Sequence, residues 1–366
     1  VKIRIAVFIA LSLIATSALA ASNRISNGLI IHSSGEVAIE RQNGRIVRPT
    51  SGTPIYPGDK LRTSQNAQLT IQCADLGIKS IAPGENQLNS CLLAKEESNC
   101  SADLVKCPDR SPDQLTWNSA PIPYIISPRR TKLLDSKPIL RWNPVAGATS
   151  YKLSLRENGA KLNWEMTVSG TEAVYPGEPP LKPGVRYRLI VEANTGASSE
   201  TPVVEGHTVF GLLDEGEVER VKSEVGAIDK QVPNENARKL AISTIYFNTN
   251  LIAEAIEILE NIEKTGGETP PIYRALGDMY LEKLQLVPQA EVYYSKAINT
   301  AKPDDIEELT AARYGLGQVH SAMRNNLEAM KYLRMAKDGY TTLGDLQMAE
   351  KVEKQLRDLQ RREERK

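Results

Sequence analysis

The sequence predicts a multidomain chain: an N-terminal all-β domain, a central β-sandwich and a C-terminal all-α helical solenoid. Three observations carry this expectation. Short alternating apolar runs, broken by turn residues, fill 28–95 and 131–210. From 211 to 366 prolines and glycines thin out, and apolar residues recur at three and four. Within that helical part, small and large residues return at a fixed interval. A length of 366 residues allows two or three domains. The formal net charge is zero, with no basic excess to suggest nucleic acid as a partner.

Residues 1–20 read as a secretory signal. Lys2 and Arg4 begin it, Ile5 to Ala15 is an apolar run, and Ala18-Leu19-Ala20 offers small residues for cleavage after Ala20. An uncleaved anchor helix is the alternative. The mature chain is expected outside the cytoplasm, periplasmic or secreted, with no integral membrane span. Cys73, Cys91, Cys100 and Cys107 agree with export, since an even count in one short window reads as disulfides. Zinc is disfavoured by gaps of 17, 8 and 6 residues without a nearby His. Of three pairings, Cys73–Cys91 with Cys100–Cys107 is preferred.

Residues 28–95 are strand-like. Val37-Ala38-Ile39-Glu40-Arg41 alternates before Asn43-Gly44, a two-residue hairpin signal. Pro57-Gly58-Asp59 and Pro83-Gly84 mark further turns. The order Gly35-x-Val37, Gly52, Ile55, Gly58-Asp59-x-Leu61-x-Thr63, Ala67-x-Leu69 resembles the FecR-type periplasmic β domain of bacterial envelope proteins. That resemblance implies a small β module for extracytoplasmic contacts. Gly58-Asp59 is expected simply to turn the chain, and Thr63 to pair across a sheet.

Residues 96–130 look like a cysteine-containing connector rich in Pro and Ser. In 131–210, Ile139-Leu140-Arg141-Trp142 precedes the alternating Tyr151, Leu153 and Leu155, and later comes Leu181-Lys-Pro183-Gly184-Val-Arg-Tyr187. This resembles a fibronectin type III-like sandwich. The resemblance implies that Trp142 fills the core and Tyr187 forms a tyrosine corner. Trp164 either caps the core or stands exposed.

The helical part begins with an amphipathic helix expected over Leu212 to Ile228. Three helix pairs follow, marked by Ile242, Ser243, Tyr246, Ala255, Leu259 and Ile262, then Tyr273, Leu276, Gly277, Tyr280, Ala290, Tyr294 and Ala297. The third has Leu316, Gly317, His320, Ala329, Leu333 and Ala336. Small residues recur where helix backbones must approach closely. The first two units are 34 residues apart and the next 40, so an insertion is expected, one residue at Gln285–Pro288 and the rest near Ala301–Glu307. A stripe of Leu346, Ala349, Val352, Leu356 and Leu359 closes the stack. The spacing resembles the tetratricopeptide repeat, which implies a partner-holding module.

No catalytic signature appears, and no cofactor or metal is expected. His32, His207 and His320 lie in three different regions, and His320 falls on a packing face. Asp304-Asp305 and Glu307-Glu308 read as a solvated helix start. The residues opposite the packing stripe are Asn248, Arg274, Asp278, Tyr314 and Gln318; these form the expected partner groove for a protein or peptide. The leading expectation is a non-enzymatic scaffold whose β domains contact envelope components. The alternatives are an extracytoplasmic sensor of FecR type and an envelope hydrolase binding glycan through Trp164.

Overall fold

A computed structural model describes residues 26–91, 122–158, 160–200 and 209–364. The expected signal segment, Cys100, Cys107 and His207 lie outside the described residues, as does most of the expected connector.

The N-terminal part has eight strands: β1 (Gly28–Ser34), β2 (Val37–Glu40), β3 (Ile46–Val47), β4 (Pro54–Ile55), β5 (Lys60–Thr63), β6 (Gln68–Cys73), β7 (Ile78–Ile81) and β8 (Asn86–Leu88). They form two sheets, β4-β1-β6-β7 and β3-β2-β5-β8. Alternation turns Val37 and Ile39 inward against Ile30, Leu61, Leu69 and Ile71. The β2–β3 hairpin differs from a two-residue turn. Gly44 has φ +80° while Asn43 does not enter the left-handed region, and the Gly44 N–H donates to the Arg41 carbonyl. A type I′ turn needs positive φ at both central residues, so the loop widens to Arg41–Arg45. Cys73 and Cys91 are disulfide-bonded, the pairing preferred from the sequence, with Cα atoms 5.2 Å apart.

The central part comprises β9 (Ile125–Ser127), β10 (Thr131–Leu133), β11 (Ile139–Trp142), β12 (Tyr151–Glu157), β13 (Ala160–Val168), β14 (Glu172–Val174), β15 (Tyr187–Ala193) and β16 (Val209–Leu212). Its sheets run β10-β16-β15-β12-β13 and β14-β11-β9 around one core. Trp142 meets Tyr151 edge-on inside it, and the Tyr187 hydroxyl accepts the Lys182 N–H at 2.8 Å. Trp164 is 8% exposed and packs edge-on against Tyr175, so it is not a surface contact for glycan. β16 runs two residues past the expected end of this part, and its Phe210 is fully buried in the core. The next helix therefore starts later than Leu212, behind a reciprocal cap between Asp214 and Glu217.

The helices are α1 (Glu215–Gln231), α2 (Glu235–Asn248), α3 (Ile252–Lys264), α4 (Pro270–Asp278), α5 (Val287–Thr300), α6 (Ile306–Ala322), α7 (Asn326–Leu343) and α8 (Leu346–Glu363). A π-helical turn, Met279–Lys283, continues α4. Pairs α2/α3, α4/α5 and α6/α7 form three hairpins, and the expected small residues sit at their closest approaches. A Cβ on Gly277 or Gly315 would come within 2.7 or 2.4 Å of the Tyr294 ring, and one on Gly317 within 2.7 Å of Leu333. Ala255, Ala290, Ala329 and Ala336 are wholly buried.

The insertion is distributed differently from expectation. In the first and third hairpins the closing bond spans five residues: Leu251 N–H to Tyr246 O and Asn325 N–H to His320 O. In the second it spans six, Leu286 N–H to Tyr280 O. The extra residue sits in the π turn, where Leu284 N–H reaches Met279 O. This keeps Gln285 as the left-handed turning residue, equivalent to Asn250 and Arg324. The other inserted residues lengthen α6. Gly277 is the eighth residue of α4, whereas Gly317 is the twelfth of α6. Roughly one additional turn, containing Glu307 and Glu308, is thus added at its start. No helix among the described residues is long and apolar enough to cross a membrane.

Candidate partner-binding furrow

The first helices of the three hairpins, α2, α4 and α6, present a common face, which α8 extends. Arg274 on α4 donates from Nε to Glu308 Oε2 at 2.8 Å and from Nη1 to Asp278 Oδ2 at 2.7 Å. The other Asp278 oxygen accepts the Tyr294 hydroxyl at 2.8 Å. Burial pushes the Asp278 and Glu308 carboxyls above the usual carboxylate range, and Arg274 opposes that shift without cancelling it. Tyr314 meets Tyr340 edge-on at 6.0 Å, with the Lys351 ammonium 5.7 Å from its ring centre. Gln318 donates to Gln355 Oε1 at 2.9 Å. Asn248 is exposed near the end of α2. Four of the five expected groove residues thus fall into two clusters, Arg274 with Asp278 and Tyr314 with Gln318 through Gln355, and Asn248 stands outside both.

Much of this face is covered by the chain itself. Arg41 is 2% exposed, ion-pairs with Asp59 and reaches Glu307 from Nε at 3.1 Å and from Nη2 at 2.5 Å. Its guanidinium stands 4.9 Å from the centre of the Tyr56 ring. Burial raises the Tyr56 phenol, which feels the charges of Arg41, Glu307, Arg274 and Glu308 together. Around this centre the N-terminal β domain adds neutral hydrogen bonds to the stack. Asn43 donates to Leu343 O at 3.0 Å, Gln72 to Ala241 O at 3.2 Å, and Thr269 to Ser51 O at 2.6 Å. Gly52 lies in the left-handed region, φ +89°, and a Cβ there would come within 3.0 Å of Pro271. Ile31, fully buried, joins the core of the helical stack.

An open furrow is what the sequence predicts; along α2, α4 and the start of α6 it is occupied by the N-terminal domain. The physical reason is the added turn of α6. It carries Glu307 and Glu308 inward, where Arg41 and Arg274 neutralise them. Glu308 is 5% exposed, so the solvated helix start expected there is corrected. Asp305 does cap α6, accepting the Glu308 N–H at 3.4 Å. Asp59 likewise does more than turn the chain: it accepts the Tyr56 N–H at 2.8 Å and holds Arg41. One sequence signal could have found Arg41. It is the third inward position of the alternation Val37, Ile39, Arg41.

The central sandwich contacts α3 and the π turn that ends α4. α3 has no side-chain cap of its own. Thr131 supplies one from outside, its Oγ1 accepting the N–H groups of Ile252 at 2.9 Å and Ala253 at 3.3 Å. Arg129 donates to Leu284 O at 2.6 Å, the Leu134 N–H to Glu254 Oε1 at 2.8 Å, and Arg141 to Glu260 Oε2 at 3.3 Å. His320 is 9% exposed, its ring stacked 5.3 Å from Tyr332. Among the described residues no cluster of three or more His, Cys, Asp or Glu could hold a metal ion.

No family model matches the sequence, and no curated protein matches it. Among solved structures the chain is similar to MamA at 20% identity and a TM-score of 0.27, covering 42% of this chain and 99% of that one. A second MamA structure gives 17%, 0.27, 40% and 85% in the same order. YrrB, described as a TPR protein with an unusual peptide-binding site, gives 15%, 0.25, 40% and 80%.

Proposed function

We propose that the chain is an exported, non-enzymatic interaction scaffold that holds a protein or peptide partner along the face of α2, α4, α6 and α8. The observation that carries this reading is that the face already holds a folded module, the chain's own N-terminal β domain, by buried ion pairs and backbone contacts. A surface built this way has the chemistry to grip polypeptide: acids at Glu308, Asp278 and Glu282, cations at Arg274 and Lys351, and aromatic rings at Tyr314 and Tyr340. The partner seat is the α6–α8 end, around Tyr314, Gln318 and Lys351, with Asn248, Arg274 and Asp278 joining it where the β domain lifts away. In this reading the FecR-like and fibronectin type III-like modules contact envelope components, and the compartment is periplasmic or extracellular.

The docked β domain also favours a second reading, an extracytoplasmic sensor of FecR type. A signal that releases Arg41 from Glu307 would open the furrow to a membrane partner. Site-specific photocrosslinking in intact cells tests the first reading. A crosslinker at position 351 should capture one discrete protein, while one at Val292, which is 52% exposed on α5, should not. Equal capture at both positions, or none at either, contradicts it. A sensor would in addition capture more in an Arg41→Ala background.

A further inference from the structure

A cavity of about 230 Å³ lies in the seam between the central sandwich and the helical stack, and it belongs to neither the furrow nor its charge network. Its walls combine both modules: Arg129, Lys137 and Arg141 from the sandwich, and Glu254, Tyr280 and Leu284 from the helices. Arg129 is 3% exposed, yet among the described residues it has no carboxylate partner. Its Nε donates to a backbone carbonyl, and the charge that shifts it most is a second cation, Arg130, with Tyr124 opposing more weakly. Burial and that like charge hold its guanidinium down to about 9. A buried guanidinium matched only by a carbonyl dipole is poorly compensated, and an anion bound at its remaining N–H groups would correct this.

The opposite wall narrows the choice of anion. Glu254 uses Oε1 to accept the Leu134 N–H, while Oε2 is buried without a partner. Asp135 and Glu257 also line the cavity, so the lining carries acids as well as cations. A dianion such as phosphate would be repelled by that acidic wall. A carboxylate bearing its own hydrogen-bond donor, a hydroxyl or an ammonium, satisfies both walls. Sites at domain seams with a few convergent polar groups are the usual setting for small ligands.

We propose that this seam binds a small monocarboxylate carrying a hydroxyl or amino group, its carboxylate on Arg129 and its donor on Glu254 Oε2. Calorimetric titration of the full chain at pH 8, where Glu254 is mostly ionised and inorganic phosphate mostly the dianion, with glycolate, glycine, acetate and inorganic phosphate tests this. Glycolate or glycine should saturate one site per chain, acetate should bind at least about tenfold more weakly, and phosphate should give no saturable heat, a tenfold ratio corresponding to about 1.4 kcal/mol. Arg129→Gln should abolish binding. Where that variant fails to fold, Glu254→Gln decides, since it keeps the acceptor for Leu134 and changes the partner of the ligand's donor. It should erase the preference over acetate. Saturation by phosphate, no saturation by any probe, or an unchanged preference in Glu254→Gln overturns the proposal.

Discussion

Arg41 and Arg129 are both almost wholly buried, at 2% and 3% exposed, one at each seam between a β domain and the helical stack. Arg41 meets two carboxylates, Asp59 from its own domain and Glu307 from α6. Arg129 meets the carbonyl of Leu284. Around Arg41 the interface is closed, with Tyr56, Gly52 and Pro271 in contact distance of their neighbours. Around Arg129 it leaves a cavity. The difference teaches that equal burial of a cation can serve opposite ends. Compensated charge fixes one module against another, whereas uncompensated charge marks a place where something can bind.

Substituting each arginine by methionine sharpens that contrast. Arg41→Met leaves Asp59 buried without its cation and Glu307 with only Arg45, 3.7 Å away, and should lower unfolding free energy by about 3 kcal/mol. Arg129→Met removes a poorly compensated charge and one hydrogen bond, effects that oppose each other, so its change should stay within about 1 kcal/mol. Denaturant unfolding of both variants reads the comparison directly. Equal losses would break it.

The central seam should also be the pH-sensitive one. Burial lifts the Glu254 carboxyl to about 7, with Glu257 and Asp135 pushing the same way and the Leu134 N–H opposing. A carboxyl raised on folding adds stability below its unfolded value near 4.5, and that stability is lost as pH rises through about 7. Glu254→Gln should therefore gain roughly 2–3 kcal/mol over the parent at pH 8 and almost nothing at pH 4. A flat difference between the two pH values would show that Glu254 is not held protonated by the seam.

Smaller effects probe the frame between the seams. Gly315→Ala places a methyl 2.4 Å from the Tyr294 ring. The better helix propensity of alanine offsets part of the overpacking, leaving a loss of about 1–2 kcal/mol by thermal or chemical unfolding. Thr131→Val deletes the cap on α3 and should cost about 1 kcal/mol. A similar loss in Thr341→Val, whose hydroxyl bonds its own helix at Lys337 O, would mean that Thr131 has no special role.

What was legible in the sequence was local. The helix pairs could be read because Gly277, Ala290, Tyr294 and Gly317 must interlock within short separations. Asn43-Gly44 marked a hairpin, although its turn type was not recoverable, because only Gly44 entered the left-handed region. Arg274 and Asp278 could be placed on one helix face by their spacing, yet not what covers that face. Arg41 and Glu307 are 266 residues apart, and nothing beside either one encodes the other. The insertion before α6 was visible as a change in period. That it formed an inward-facing acidic turn, and not a solvated helix start, depended on a domain docking there. The cavity had no sequence signal at all, since its walls come from two modules whose relative placement no local pattern specifies.

A double-mutant cycle on Arg41 and Glu307 tests most directly whether the β domain is held in the furrow. Unfolding free energies of the parent, Arg41→Met, Glu307→Gln and the double variant should yield a coupling of at least about 1.5 kcal/mol, as expected for a close, buried ion pair. A coupling under about 0.3 kcal/mol, the level at which distant sites add, would mean that the two side chains do not meet and that the furrow stands open.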